Sequence, residues 1–296
     1  MFKGSLVALV TPFDGNNRVD FDSLKRLIDF HVEQGSDGLV VAGTTGESAT
    51  LSRSEHIELI TRAVEIADGR LPIIAGTGSN STSQTVDLSR AVGASGIDAY
   101  LVVVPYYNKP VQEGLYQHFS VIADTVDKPV MLYNVPGRTV ADMLPETVGR
   151  LATHENIFGI KEATGDIDRL KTIQALVSDD FRLYSGDDFS LRPFIEQGGH
   201  GVVTVSGNVA AAQVATLCRL AAAGKADEAA ALDATLQPLN QLLFVESNPI
   251  PVKWAVSEMG LMQNHIRLPL TPFSVQYHDE MRAAMRQAGV TLEKNA

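Results

Sequence analysis

Eight short runs of aliphatic and β-branched residues recur along the chain, and each is followed by a longer segment of helical period. The runs are Leu6–Val10, Gly38–Ala42, Pro72–Ala75, Ala99–Val104, Pro129–Tyr133, Ile157–Lys161, Arg182–Ser185 and Gly201–Val205. Between them the period predicts helices near Asp22–Gln34, Ser54–Ala67, Thr82–Ala94, Gln112–Thr125, Pro145–Ala152, Ile167–Val177, Asp188–Gln197 and Ala210–Ala222. Continuous apolar runs mark strands buried on both faces, as in a parallel sheet. Eight βα units are satisfied by a closed (β/α)8 TIM barrel, and a doubly wound open sheet is the alternative.

The alternation ends near Gly224. Helical patterns follow at Asp227–Leu243, Pro251–Met259 and Ser274–Ala288, punctuated by Pro249 and Pro251. Residues 1–224 are therefore expected to form the barrel, and 225–296 a helical appendage beside it.

With 45% hydrophobic residues in 296, the chain can bury a large core. A net charge of −11 without any basic run argues against a nucleic-acid partner. Cys218 is the only cysteine, which rules out an intrachain disulfide and suits a reducing compartment. Pro12 closes the short apolar run at the N-terminus, so a signal peptide is not expected. No stretch approaches the roughly 18 apolar residues of a membrane span. The expectation is a cytoplasmic protein with no membrane partner.

In a barrel the βα loops gather at the C-terminal face, where active sites lie. Polar clusters follow the runs in that way: Gly43-Thr44-Thr45-Gly46-Glu47-Ser48, Gly76-Thr77-Gly78-Ser79-Asn80, Tyr106-Tyr107-Asn108-Lys109, Tyr133-Asn134-Val135-Pro136-Gly137-Arg138, Gly186-Asp187-Asp188 and Ser206-Gly207-Asn208. Lys161 ends the sixth run; no other lysine is so placed, and the rest are expected in polar, exposed contexts. Desolvation at the mouth of an apolar strand favours the neutral amine, a nucleophile for carbonyl carbon. The competing reading is an ion pair with Glu162 or another carboxylate.

Each cluster also has a structural reading. Thr44 and Thr45 could cap a helix, Tyr106 and Tyr107 could pack, and Asp187 and Asp188 read better as caps than as metal ligands. Seven scattered histidines lack metal-ligand spacing, so no metal is expected. Together the clusters describe one site. It combines a carbonyl-seeking amine, tyrosine hydroxyls for protons, threonine hydroxyls for an oxyanion, and Arg138 for a carboxylate. That set suits a Schiff-base aldolase acting on oxo acids.

The segments Gly43–Glu47, Pro105–Pro110, Tyr133–Thr139 and Gly159–Ala163, with Asn248–Trp254 and Leu268–Leu270, resemble the dihydrodipicolinate synthase family. The lysine, tyrosine and Gly-Thr-Thr features are shared with the wider pyruvate-lyase superfamily, whereas Arg138 points to the synthases. The resemblance implies condensation of pyruvate with aspartate 4-semialdehyde in lysine biosynthesis, without metal or organic cofactor. It makes Lys161 the imine-forming residue and Tyr133 the proton shuttle, linked through Thr44 to Tyr107. Tyr107 would enter from a neighbouring subunit, in a homotetramer built as a dimer of dimers. Thr45 would hold the pyruvate carboxylate, Arg138 would bind the aldehyde's carboxylate, and Gly186 and Val203 would line the pocket.

The same resemblance implies a lysine-binding crevice between subunits, at Ser48, Ala49, His56, Asn80 and Tyr106. Arg53 stands where lysine-sensitive relatives have histidine, and Gln84 where they have glutamate, so weak or absent inhibition is expected. A pyruvate-dependent aldolase for a sugar acid or sialic acid, and a non-catalytic barrel that binds an oxo acid, are the alternatives.

Overall fold

The computed structural model describes residues 2–293. Its strands are β1 (Gly4–Ala8), β2 (Gly38–Val41), β3 (Ile73–Gly76), β4 (Ala99–Val103), β5 (Val130–Asn134), β6 (Ile157–Glu162), β7 (Arg182–Ser185) and β8 (Gly201–Thr204). They pair in sequence order, all parallel. β8 then returns to β1 through Gly4↔Gly201, Leu6↔Val203 and Val7↔Thr204, which closes the barrel. An open sheet would leave two edges bare; closure leaves none.

Helices α1 (Phe21–Gln34), α2 (Arg53–Ala67), α3 (Thr82–Gly93), α4 (Gln112–Thr125), α5 (Pro136–Thr139), α6 (Pro145–Leu151), α7 (Ile167–Gln174), α8 (Leu191–Glu196) and α9 (Ala211–Ala222) alternate with the strands. Three more, α10 (Ala226–Leu242), α11 (Ile250–Glu258) and α12 (His278–Gln287), follow. Local chemistry sets several boundaries. Asp20 caps α1 by accepting from the backbone of Asp22 and Ser23, and Gly35 ends it at φ 74°. Ser52 and Glu55 cap α2 reciprocally.

Each strand is apolar on both faces because it faces two cores. Val7, Val41, Val102, Leu132, Ile160 and Leu183 point outward under the helices. Leu6, Ala8, Val40, Ile74, Leu101, Met131, Tyr184 and Val203 fill the interior. The outer core continues into Leu236, Val252, Trp254 and Met281, which belong to α10, α11 and α12. Among the described residues no helix is long and apolar enough to cross a membrane.

Several boundaries differ from the sequence expectation, and those of β1 and α8 have a clear cause. β1 begins at Gly4 and stops at Ala8, two residues earlier than the apolar run. Beyond Ala8 the Asn208 amide substitutes for a neighbouring strand: Nδ2 donates to the Ala8 carbonyl at 2.8 Å, and Oδ1 accepts from the Val10 N–H at 3.0 Å. α8 starts at Leu191 rather than Asp188. The buried Asp188 carboxylate instead accepts from the Thr204 hydroxyl and the N–H groups of Val205 and Ser206, tying the β7 loop to the end of β8. Asp187 does not cap the helix either: α8 begins after Ser190 without a side-chain cap, and Asp187 Oδ2 accepts from the Ser190 N–H at 3.0 Å in the preceding turn.

Candidate active site

Lys161 faces the barrel interior because β6 carries a bulge. Val130 pairs with Ile157, but Met131 pairs with Gly159, so Phe158 is an extra residue in β6. Phe158 belongs to the inner core and Ile160 to the outer one. Without the bulge, inward Phe158 would have turned Ile160 and Glu162 inward and Lys161 out. Gly159 allows the bulge; a Cβ there would lie 2.4 Å from the Arg182 carbonyl oxygen.

Re-aiming the strand separates Lys161 from Glu162. Glu162 points outward to Arg169, with Nε 3.0 Å from its carboxylate, and accepts from Asn134 Nδ2. Burial raises the pKa of Glu162, and the Arg169 charge opposes that shift. Lys161, 6% exposed, forms no ion pair among the described residues. Its Nζ lies 4.2 Å from the centroid of the Tyr133 ring, its partner on β5. The reading of Lys161 as half of a Glu162 pair is thereby excluded.

Lys161, Tyr133, Thr44, Thr45, Arg138 and Gly186 line one cavity of about 150 Å³, floored by Ala8, Val40 and Leu101. A larger cavity of about 800 Å³ adjoins it, and Thr44, Val135, Arg138 and Asn248 border both. Pro136 starts the short helix α5, which presents Arg138. The Arg138 Nη2 donates to the Asn248 carbonyl at 3.2 Å, and Asn248 Nδ2 donates to Thr45 Oγ1 at 3.0 Å.

Three expected residues stand elsewhere. Val203 lies in the interior core, and Val205, just past the end of β8, lines the cavity. Tyr107, expected at a neighbouring subunit's site, is 89% exposed and does not line this cavity, with a left-handed φ of 73° that is costly for a non-glycine residue. Asn80 is not among the larger cavity's lining residues, although Ser48, Ala49, His56 and Tyr106 are, with Arg53 and Gln84. The His56 Nε2 is 2.7 Å from the Gly76 carbonyl, and burial lowers its pKa.

The expectation that every lysine other than Lys161 is exposed fails at Lys253. Lys253 is 1% exposed on α11, and its Nζ is 2.5 Å from Glu47 Oε1 and 4.2 Å from the centroid of the Phe13 ring. Glu47 also accepts from the Arg267 N–H at 3.1 Å. Trp254 and the prolines beside Lys253 gave the only signal in the sequence that this lysine lies in a packed segment. Asn248 and Phe244 are further lining residues that the strand pattern could not reveal, because they follow the last βα unit.

The dihydrodipicolinate synthetase family model matches residues 1–288. The chain belongs to that family. It is 57% identical over 290 residues to the 4-hydroxy-tetrahydrodipicolinate synthase of Pseudomonas syringae pv. syringae, covering 98% of this chain and 99% of the relative. Among solved structures it is similar to the chloride-inhibited dihydrodipicolinate synthase from Acinetobacter baumannii complexed with pyruvate. That match has 46% identity and a TM-score of 0.96, covering 98% of this chain and 100% of that one. The enzyme from Cyanidioschyzon merolae with lysine bound matches at 40% identity and a TM-score of 0.95, covering 98% and 99%.

Proposed function

We propose that this chain is a cytoplasmic 4-hydroxy-tetrahydrodipicolinate synthase, a lyase of the diaminopimelate and lysine pathway that condenses pyruvate with aspartate 4-semialdehyde. The observation that carries this reading is the enclosed Lys161 amine, free of any carboxylate among the described residues and set against Tyr133 in a cavity that also holds Arg138. The named relatives and the family match support it.

In this reading the Lys161 Nζ attacks the pyruvate ketone carbon, and water leaves as the imine forms. A methyl proton is then lost, giving an enamine whose terminal carbon attacks the aldehyde. Attack of the substrate amino group on the imine carbon closes the ring and releases the Lys161 amine. Tyr133 moves the protons, with Thr44 and a partner subunit's Tyr107 as relay. Thr45 holds the pyruvate carboxylate, and Arg138 the carboxylate of the aldehyde. The exposure and left-handed backbone of Tyr107 favour its role across an interface, in a homotetramer built as a dimer of dimers.

The test is NADPH oxidation with both substrates and excess dihydrodipicolinate reductase. Oxidation that disappears in Lys161→Ala, together with borohydride trapping of pyruvate on wild-type Lys161, is expected. Trapping without oxidation would move the acceptor to a sugar acid. Neither signal would make the barrel a non-catalytic binder.

A further inference from the structure

Asn134 ends β5, directly after Tyr133, and is fully buried. Its Nδ2 serves two carboxylates, 2.8 Å from Asp142 Oδ1 and 3.2 and 3.3 Å from the two Glu162 oxygens. Its Oδ1 accepts from the Met143 N–H at 3.0 Å, and its backbone carbonyl accepts from the Ala163 N–H at 2.9 Å. These contacts reach every segment that carries the chemistry. Glu162 and Ala163 directly follow Lys161, and Asp142 and Met143 end the loop in which α5 presents Arg138.

The bond to Glu162 also distinguishes two registers. If the pairing Val130↔Ile157 continued without the bulge, Asn134 would stand opposite Lys161, and Tyr133 opposite Ile160. In the bulged register Asn134 meets Glu162, and Tyr133 meets Lys161. A bulge leaves one residue unpaired and interrupts the ladder, so the bulged register needs a compensating contact. An amide donor opposite a buried carboxylate supplies it, because hydrogen bonds to charged groups are the strong ones.

The residue type follows from the same contacts. The Met143 N–H requires an acceptor, while Glu162 and Asp142 require a donor. An asparagine amide meets both needs; aspartate lacks the donor, and glutamine is one methylene longer. Arg169 bridges the same two carboxylates, but among the described residues its bonds do not reach β5.

We propose that Asn134 is a positioning residue for the condensation: it holds Tyr133 against Lys161 through Glu162 and sets the Arg138 loop through Met143. This rests on the condensation proposed above.

The experiment compares wild type, Asn134→Asp and Asn134→Ala, with folding checked by circular dichroism and urea titration. It reads the rate of imine formation, by borohydride trapping of pyruvate on Lys161, and the KM for aspartate 4-semialdehyde. Asn134→Asp keeps the acceptor for Met143 and loses the donor to Glu162. Its trapping rate is expected to fall roughly tenfold or more, the scale of a misplaced reacting group, while KM stays within about threefold. Asn134→Ala loses both links, so its KM is expected to rise roughly tenfold as well. Trapping within about twofold of wild type in both variants would overturn the proposal. An equal KM rise in both would overturn it too, because that marks general loosening of the site rather than two separate links.

If neither variant folds, Glu162→Gln decides. Both Glu162 oxygens already meet donors from Asn134, the Thr164 N–H and Arg169, so an amide nitrogen there faces a donor and trapping is expected to slow. Wild-type trapping in that variant also overturns the proposal. Failure of the condensation reading would appear earlier, as absent product and absent trapping in the wild type.

Discussion

Gly186 lies against the stem of Lys161 with no room for a side chain between them. A Cβ on Gly186 would stand 2.9 Å from the Lys161 Cε, 3.1 Å from its Cγ and 2.6 Å from the Ala163 Cβ. Lys161 is on β6, and Gly186 directly follows the neighbouring strand β7, so the stem has nowhere to retreat except across the cavity. Gly186→Ala is expected to cost about 1–3 kcal/mol of stability through overpacking. The larger effect is on turnover, because an amine displaced by about 1 Å can lose roughly a hundredfold in rate. Steady-state kinetics with borohydride trapping checks this; wild-type turnover in the alanine variant would refute the steric role.

Arg169 holds the outward half of the bulged strand. It reaches Glu162 at 3.0 Å and Asp142 at 2.8 and 3.0 Å, and it donates to the Met143 carbonyl. Arg169→Ala leaves Glu162 buried without its cation, at an expected cost of about 3–5 kcal/mol near neutral pH. Burial already raises the Glu162 pKa, and losing Arg169 raises it further. A carboxyl with a raised folded-state pKa takes up its proton more readily folded than unfolded, so the variant gains stability as pH falls through that value. Urea titrations at about pH 7.5 and about pH 5.5 are expected to show the deficit narrowing; a constant deficit would place the damage elsewhere.

Why some of this was legible and some was not follows from particular residues. Leu6, Val40, Ile74 and Met131 face one core while Val7, Val41 and Leu132 face the other, so the strand runs were continuous and the barrel could be read directly. Lys161 and Arg138 were visible because each follows an apolar run with chemistry that packing does not need. The Phe158 bulge was invisible, since no local pattern distinguishes it from a regular strand; only pairing with β5 exposes it. Lys253 was hidden for a related reason. Its partner Glu47 is 206 residues away, and a buried ion pair leaves no periodicity in either segment.

The larger cavity gathers Ser48, Ala49, His56 and Tyr106, which the family resemblance places in a lysine-binding crevice. Gln84 Oε1 accepts from the Ser79 hydroxyl at 3.1 Å, and Arg53 lines the same wall with its Nη2 3.5 Å from the Asp87 carbonyl. Neither supplies the negative charge that an ammonium ligand would use, and Arg53 adds a positive one. Lysine is therefore expected to inhibit weakly or not at all, while Gln84→Glu combined with Arg53→His increases sensitivity. Inhibition assays across lysine concentration decide the point; strong inhibition of the wild type at sub-millimolar lysine would contradict it.

The Lys253–Glu47 pair joins α11 to the loop that carries Thr44 and Thr45, and it does so in the core. Burial outweighs the attraction of Glu47 and lowers the Lys253 pKa to about 8. An unfolded lysine titrates near about 10.4. Below about pH 8 both states hold the proton; from there to about pH 10.4 only the unfolded chain does, so this residue adds stability as pH rises through that window. Lys253→Met removes that gain and leaves Glu47 buried alone, a loss of about 3–5 kcal/mol at neutral pH. Adding Glu47→Gln to Lys253→Met is expected to recover much of the loss, because the uncompensated charge is gone. Denaturant titrations of the single and double variants between about pH 7 and about pH 10 test both points. A single variant as stable as the wild type, with the same slope above about pH 8, would mean that the pair contributes neither stability nor its pH dependence.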